Sequence, residues 1–319
     1  MTGTDFIPIS VATLMPSSAV GIDLFQTEQD SGRVTLYRGA DYPMAHKDLQ
    51  NLQQRGITRL FIAKESQARY QKYLRQLASL PMEDTRVPMR VRVGALNEVV
   101  REALTSSLHA EDTSQAVASA SHFGRIVART VTSSAFTAGD LFRVLHHDYT
   151  TFTHSANVAF YNAVLADKLG YSVEEVGQIT TGGLLHDLGK LEISEAILCK
   201  PGKLDEAEYR EIKKHTLTGF RKLANRPELN FGQLMMVYQH HERLDGKGYP
   251  DGNVADEIHQ WAKQCSVVDV YEALTSQRPY RQPMPRQKAM ERLNRDCGTA
   301  FDPEILACWN SIIQSDLIR

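Results

Sequence analysis

The apolar positions of the first eighty residues change period repeatedly. RVTLYRG (33–39) and ITRLFIA (57–63) are short β-branched and aromatic runs that predict strands, whereas HKDLQNLQQRG (46–56) and SQARYQKYLRQLASL (66–80) predict helices. TEQDSGRVTLY (27–37) predicts a hairpin turning at Asp30, Ser31 and Gly32. In LPMEDTRVPMRVRVG (80–94), Pro81 and Pro88 stand among alternating charges and mark a connector. From about residue 96 strand signals nearly vanish and helical periodicity runs almost to the end. Ser172 with Glu175 forms a capping box, Asp205 with Glu208 a looser one, and Gly170 closes the helix that precedes Ser172. SSLHAEDTSQAVASASHFG (106–124) is rich in Ala and Ser, which permits close helix approach but fits a solvated connecting helix equally well. No internal repeat, low-complexity tract or heptad run is present. The expected fold class is multi-domain. A small α+β N-terminal domain (1–85) is followed by a connector with linking helices (86–135) and an all-α domain (136–319).

Composition narrows the class further. At 319 residues and 42% hydrophobic content, the chain can build two separate cores. A formal net charge of -2 supplies no electrostatic footprint for duplex nucleic acid or an anionic membrane. The start, MTGTDFIPISVATLMP, lacks a basic region followed by an apolar one, and no window approaches 18 apolar residues, so a cytoplasmic protein without membrane insertion is expected. Cys199, Cys265, Cys297 and Cys308 form no CxxC pair and are expected to be reduced, mostly buried thiols.

The candidate chemistry lies in histidines on apolar faces. His154 shares a helical stripe with Val158, Tyr161 and Leu165; His186 follows Val176, Ile179 and Gly183; His215 follows Ile212 and precedes Gly219. One such residue is ordinarily a hydrogen-bonded core histidine. Several converging with carboxylates would strand buried nitrogens and charges unless a cation bound them. His240 and His241 add to this, because helical neighbours point about 100° apart and cannot share a packing stripe. Both could hold one cation between them; alternatively one is in the core and the other in solvent, as His146 and His147 could also be. The carboxylates at hand are Asp187, directly after His186, and Asp269, set among Val267, Val268 and Val270. Five histidines and two aspartates suit iron, manganese or zinc, and seven donors exceed one tetrahedral ion. Two cations sharing a carboxylate are expected.

LLHDLGK (184–190), KPGKLDEAEYREIKKH (200–215), HHERLDGKGYP (240–250) and VVDVYEALTSQRPYR (267–281) together resemble the HD-GYP branch of the HD phosphohydrolase superfamily. These are all-helical metal enzymes that cleave the bacterial messenger cyclic di-GMP, and the likeness covers roughly residues 140–310. It implies that His154, His186, Asp187 and Asp269 hold one metal and His215, His240 and His241 the other, with Asp187 shared. Asp187 and Lys190 would be catalytic. Lys190, Tyr249 of the GYP loop and Arg278 would meet the substrate, and Gly246, Gly248 and Pro250 would fold that loop back beside the metals. The cofactors implied are two divalent ions, iron or manganese first, with zinc, nickel and magnesium as alternatives.

Some members bind a third metal through a glutamate four residues before the first histidine. Here that position is Thr150, a feeble ligand, so two metals are expected. The implied reaction is attack of a bridging hydroxide on phosphorus, giving pGpG and potentially GMP. Another cyclic dinucleotide such as cyclic GMP-AMP, or a catalytically weak metal-bearing signalling protein, are the alternatives. The N-terminal domain shows no cofactor motif; its position ahead of an enzyme implies a regulatory role, with a homodimer or regulatory proteins as partners.

Overall fold

A computed structural model of the chain describes residues 5–27, 33–81, 84–108, 113–142, 144–145, 151–277 and 282–317. It divides into two units, Met1–Val99 with Gly139–Leu145, and Val100–Ala138 with His146–Arg319.

The first unit is built on a four-stranded antiparallel sheet of β1 (Phe6–Ser10), β2 (Leu24–Thr27), β3 (Val34–Arg38) and β4 (Arg59–Ala63), in the order β1-β4-β2-β3. β2 and β3 are the expected hairpin strands, paired from Thr27↔Val34; its turn at Asp30, Ser31 and Gly32 lies outside the described residues. Alternation in β4 buries Leu60 and Ile62, while α1 (His46–Gln54) buries Leu49 and Leu52 and α2 (Gln67–Ser79) buries Tyr70, Leu74 and Leu77. The supposed connector is not loose. α3 (Met89–Leu108) begins directly after Pro88, and buried Arg92 donates to the carbonyl oxygens of Leu80, Pro81 and Asp84. The RVRV alternation is therefore a helix whose Val91 and Val93 are buried.

The division between units falls within α3. The remaining helices are α4 (Thr113–Val131), α5 (Ala138–Phe142), α6 (Thr151–Lys168), α7 (Val173–Leu185), α8 (Glu195–Leu198), α9 (Glu206–Lys213), α10 (His215–Leu223), α11 (Phe231–Gln239), α12 (Gln260–Thr275), α13 (Arg286–Arg295) and α14 (Pro303–Leu317). Both capping boxes form, at Ser172–Glu175 and Asp205–Glu208, and Gly170 takes φ 87° beyond the end of α6.

In the second unit α6 is buried from Thr153 to Ala166 and α12 over most of its length, as central helices must be. Trp309 of α14 packs on Tyr161 of α6 and Tyr271 of α12, ring centroids 5.4 and 5.1 Å away, fixing the two helices side by side. The Ala- and Ser-rich segment resolves in favour of close packing. Ala116, Ala120 and Gly124 of α4 are buried, and a Cβ at Gly124 would fall 2.6 Å from the Gly177 carbonyl oxygen of α7. Among the described residues no helix is long and apolar enough to cross a membrane. The cysteines depart from expectation: they are free thiols, but only Cys265 is buried, while Cys199 and Cys297 are exposed and Cys308 is intermediate. Cys199 and Cys297 sit where α8 and α13 end in short turns, which have little interior to offer.

Candidate metal centre

The elements of the second unit bring all seven predicted donors together. His154 lies in the first turn of α6, His186 and Asp187 directly follow α7, His215 opens α10, His240 and His241 directly follow α11, and Asp269 is mid-way along α12. Three overlapping groups, His215–His240–His241, His154–His186–Asp269 and His186–Asp187–His240, each place one donor atom per residue within 4.8 Å of the others. His186, His240 and Asp187 are fully buried; the His241 side chain is 23% exposed, so this pair does not divide into one core and one solvent ring. Because the pair stands past the end of α11, a turn rather than helical angles sets its splay, with ring centroids 4.2 Å apart.

Asp187 straddles the cluster. Its Oδ2 lies 3.4 Å from Nε2 of both His154 and His186, while Oδ1 lies 3.4 Å from Nε2 of His215 and 3.8 Å from that of His240. Asp269 leans toward the first group, with Oδ1 2.9 Å from His154 Nε2 and 3.9 Å from His186 Nε2, and reaches His241 Nδ1 through Oδ2 at 3.9 Å.

The ring tautomers test whether cations fit. Nδ1 of His186 lies 2.7 Å from the Gly183 oxygen, Nδ1 of His215 2.7 Å from the Ile212 oxygen, and Nδ1 of His240 2.9 Å from the Met236 oxygen. A carbonyl only accepts, so each Nδ1 carries the proton and each neutral ring turns a lone pair on Nε2 inward. His215 Nε2 and His240 Nε2 then face each other at 3.2 Å with no proton between them. Two lone pairs at that distance repel, whereas two nitrogens each about 2.1 Å from a shared cation would lie at such a separation. His186 Nε2 and Asp187 Oδ1 are buried without a hydrogen-bond partner, which again calls for a cation. The donor set fits a divalent metal centre.

Electrostatics point the same way. Burial, with the Lys190 charge, lowers His215 to about 3, and burial lowers His241 to about 4 against the pull of Asp269. Burial also holds His240 well below its ordinary value. Asp187 and Asp269 stay ionised well below the usual carboxylate range although burial opposes it, through His186 and Lys190 for the first and His154 for the second. His154 alone rises, to about 9: burial pulls it down, but Glu272 and Asp269 outweigh this. Neutral His215, His240 and His241 beside ionised carboxylates are the protonation state metal binding requires, whereas His154 would have to give up its Nε2 proton to a cation.

Close backbone approaches hold the donors in register. Gly189 lies in the 3-10 turn Leu188–Glu192, and a Cβ there would fall 1.9 Å from the His215 carbonyl oxygen, so only glycine lets Asp187 and His215 come together. In the GYP loop Gly246 takes φ 72°, whereas Gly248 is needed for proximity: a Cβ there would fall 2.4 Å from the Glu242 Cα. The Tyr249–Pro250 peptide is cis, and Tyr249 stacks on His241 with centroids 4.7 Å apart and 30° between planes. Lys190 Nζ lies 2.5 Å from Asp187 Oδ2. Arg278 and Thr150, like His146 and His147, lie outside the described residues.

Two acids escaped the sequence reading. Glu272 accepts from His154 Nδ1 at 2.5 Å, Asn157 Nδ2 at 3.0 Å and Ser276 Oγ at 2.6 Å. It stands three residues beyond Asp269 in the same apolar run, the signal that singled out Asp269 itself. Glu242, directly after the histidine pair, accepts from the backbone N–H groups of Asp251, Gly252 and Asn253 at 2.8 to 3.1 Å and so pins the loop.

Residues 143–305 match the family model described as HD domain. The 3'3'-cGAMP-specific phosphodiesterase 3 of Vibrio cholerae serotype O1 is 40% identical over 166 residues, covering 49% of this chain and 34% of that protein. The cyclic di-GMP phosphodiesterase of Thermotoga maritima is 36% identical over 163 residues, 50% of this chain and 44% of that one. The chain thus spans less than half the length of these curated relatives. Bd1817, an HDG"Y"P protein from Bdellovibrio bacteriovorus, superposes with a TM-score of 0.67, covering 97% of this chain and all of that one at 18% identity, a likeness of fold alone.

Proposed function

Since the chain belongs to the HD domain family, in its HD-GYP branch, we propose that it is a metal-dependent phosphodiesterase that opens cyclic di-GMP to linear pGpG and potentially to GMP. The observation that carries the reading is Asp187, whose two oxygens face two separate sets of histidine nitrogens. On this reading His154, His186, Asp187 and Asp269 hold one divalent cation, His215, His240 and His241 hold a second, and Asp187 is shared. Iron or manganese suits these donors best, with zinc, nickel or magnesium as alternatives. A pair of such cations supplies Lewis-acid polarisation of the phosphodiester and activation of water.

The chain's own residues do the rest. Lys190 keeps Asp187 ionised and is placed to offset charge gathering on phosphate. Tyr249, held against His241 by the Glu242-pinned loop, presents an aromatic wall to the substrate, and Arg278 is assigned to phosphate or a guanine edge on the strength of the motif. The sheet-bearing N-terminal part, taken as residues 1–85 with linking helices over 86–135, is a regulatory module for a catalytic region over 136–319. Protein partners or a second copy would act through it, in the cytoplasm.

A second reading has support of its own: the relative from Vibrio cholerae with 40% identity is named for 3'3'-cGAMP. Anaerobically purified protein of known metal content, assayed side by side on cyclic di-GMP and 3'3'-cGAMP with chromatographic separation of products, decides between them. Preferential pGpG formation supports the first reading, preferential opening of 3'3'-cGAMP the second, and turnover of neither with both cations bound overturns both.

A further inference from the structure

Glu272 is a buried carboxylate that the phosphodiesterase reading leaves without a task. It is 1% exposed, stands behind the His154 ring on the Nδ1 side, and is oriented there by Asn157 and Ser276. His186, His215 and His240 all lean by Nδ1 on neutral backbone carbonyls. Of these four, His154 alone leans by Nδ1 on an anion. A carboxylate accepting the Nδ1 proton fixes the ring's rotation, makes its Nε2 more basic and strengthens it as a metal donor.

The charge around the two groups is unequal in the same direction. His154 and His186 face Asp187 Oδ2 and Asp269 Oδ1, with Glu272 behind. His215 and His240 face Asp187 Oδ1 alone, and His241 meets Asp269 Oδ2 only at 3.9 Å. Lys190 sits on Asp187 Oδ2 and also bears on His215 and His241, so it favours neither side and the inequality rests on Asp269 Oδ1 and Glu272. A divalent cation therefore meets more negative charge and a better imidazole on the His154 side.

We infer that Glu272 is a positioning residue that makes the two cation positions unequal, so that the His154–His186–Asp187–Asp269 position fills first and holds, and the His215–His240–His241 position fills second and exchanges. The inference rests on the two-cation reading above. It predicts a partly loaded protein with one ion retained through desalting.

The test is calorimetric titration of the metal-stripped full chain with Mn²⁺, with circular dichroism to check folding. Wild type is expected to bind two equivalents in distinct steps. Glu272→Gln, which keeps size and an acceptor but removes the charge, should weaken the tight step about 10- to 100-fold and leave the weak step unchanged. Ser276→Ala, a milder change that removes one hydrogen bond to Glu272, should move the same step less and carries the test if Glu272→Gln does not fold. His241→Ala should abolish the weak step only. Two wild-type steps of equal affinity, an E272Q effect on the weak step or equally on both, or loss of the tight step in H241A would each overturn the inference. Binding of a single equivalent by wild type would remove the two-cation premise and the inference with it, whereas two unequal steps untouched by E272Q and S276A would remove the inference alone.

Discussion

Gly189→Ala probes the contact that lets the two halves of the centre meet. The added Cβ would lie 1.9 Å from the His215 carbonyl oxygen and 2.7 Å from the Gly219 nitrogen, where real Cβ contacts do not fall below 3.0 Å. The gap must open by at least 1.1 Å, from 1.9 to 3.0 Å, and both sides are backbone, so no rotamer change relieves it. Metal ligation tolerates about 0.2 Å. Moving the start of α10 by several times that carries His215 away from Asp187 Oδ1 and empties the position they share. Overpacking of this kind costs about 1–3 kcal/mol, and each kcal/mol lowers the melting temperature of a unit this size by roughly 2–4 °C. Metal-to-protein ratio by elemental analysis, with a melt followed by circular dichroism, reads both effects. The expected result is a ratio of one or below and a Tm several degrees lower. Gly182→Ala is the control: its Cβ would lie 2.5 Å from Met236 Sδ, a flexible side chain that can move aside, so metals should be retained. A G189A protein with full metal content and wild-type turnover would refute the argument that backbone proximity assembles the site.

Lys190→Ala should slow turnover about 10- to 1000-fold with metal content unchanged, since the role proposed for it is charge near phosphate; loss of metal in that variant would reassign it to holding Asp187. Glu242→Ala leaves the N–H groups of Asp251, Gly252 and Asn253 without their acceptor, so residues 245–253 should be cleaved faster in limited proteolysis, with unchanged cleavage counting against the pinning role. Metal-stripped protein should melt highest near neutrality. The depressed values of His215 (about 3) and His241 (about 4) mean that the unfolded chain, at about 6.5, takes up protons that the folded one refuses, so stability falls as pH drops from about 6.5 toward 4. The raised His154 (about 9) contributes stability below about 6.5 that is lost as pH rises toward 9. A melting temperature that climbs steadily from pH 7 to pH 5 in chelator would contradict this.

Most of the donor set was legible because burial of a polar ring on an apolar helical stripe leaves a mark in one dimension, as at His154 and Asp269. Which donor meets which was not legible from spacing: His154 and Glu272 are 118 residues apart, and only the packing of α6 on α12 brings them to 2.5 Å. Glu272 carries the same mark as Asp269, an acid inside an apolar run, but nothing in its spacing says that its partner is the Nδ1 side of the His154 ring. Residues whose role is proximity were harder still. Gly189 and Gly248 look like turn glycines in sequence, yet neither has positive φ, and the atoms that exclude a side chain come from His215 in one case and from Glu242 and its neighbours in the other. In the first unit, FIPIS became β1 although Pro8 interrupts it, which an edge strand tolerates, and RVRV became helix because Arg92 found three carbonyl acceptors at the end of the preceding segment.

One device recurs in the centre and explains why its donors gather at helix ends. The last turn of a helix leaves carbonyl oxygens without an intrahelical donor. Gly183 in the last turn of α7, Ile212 in that of α9, and Met236 in that of α11 each accept from the Nδ1 of a histidine placed three or four residues on. That bond sets the tautomer and aims Nε2 at the centre, so a chain that stops a helix and places histidine just beyond it obtains an oriented metal donor. His154 cannot use the device, because it stands in the first turn of α6, where carbonyls are committed to N–H groups four residues on. Its Nδ1 proton needs an acceptor from elsewhere, and Glu272 on α12 supplies one that carries charge. The need for a different support at the start of a helix is thus what puts an extra anion on one side of the centre, and on the two-cation reading the inferred unequal hold follows from it.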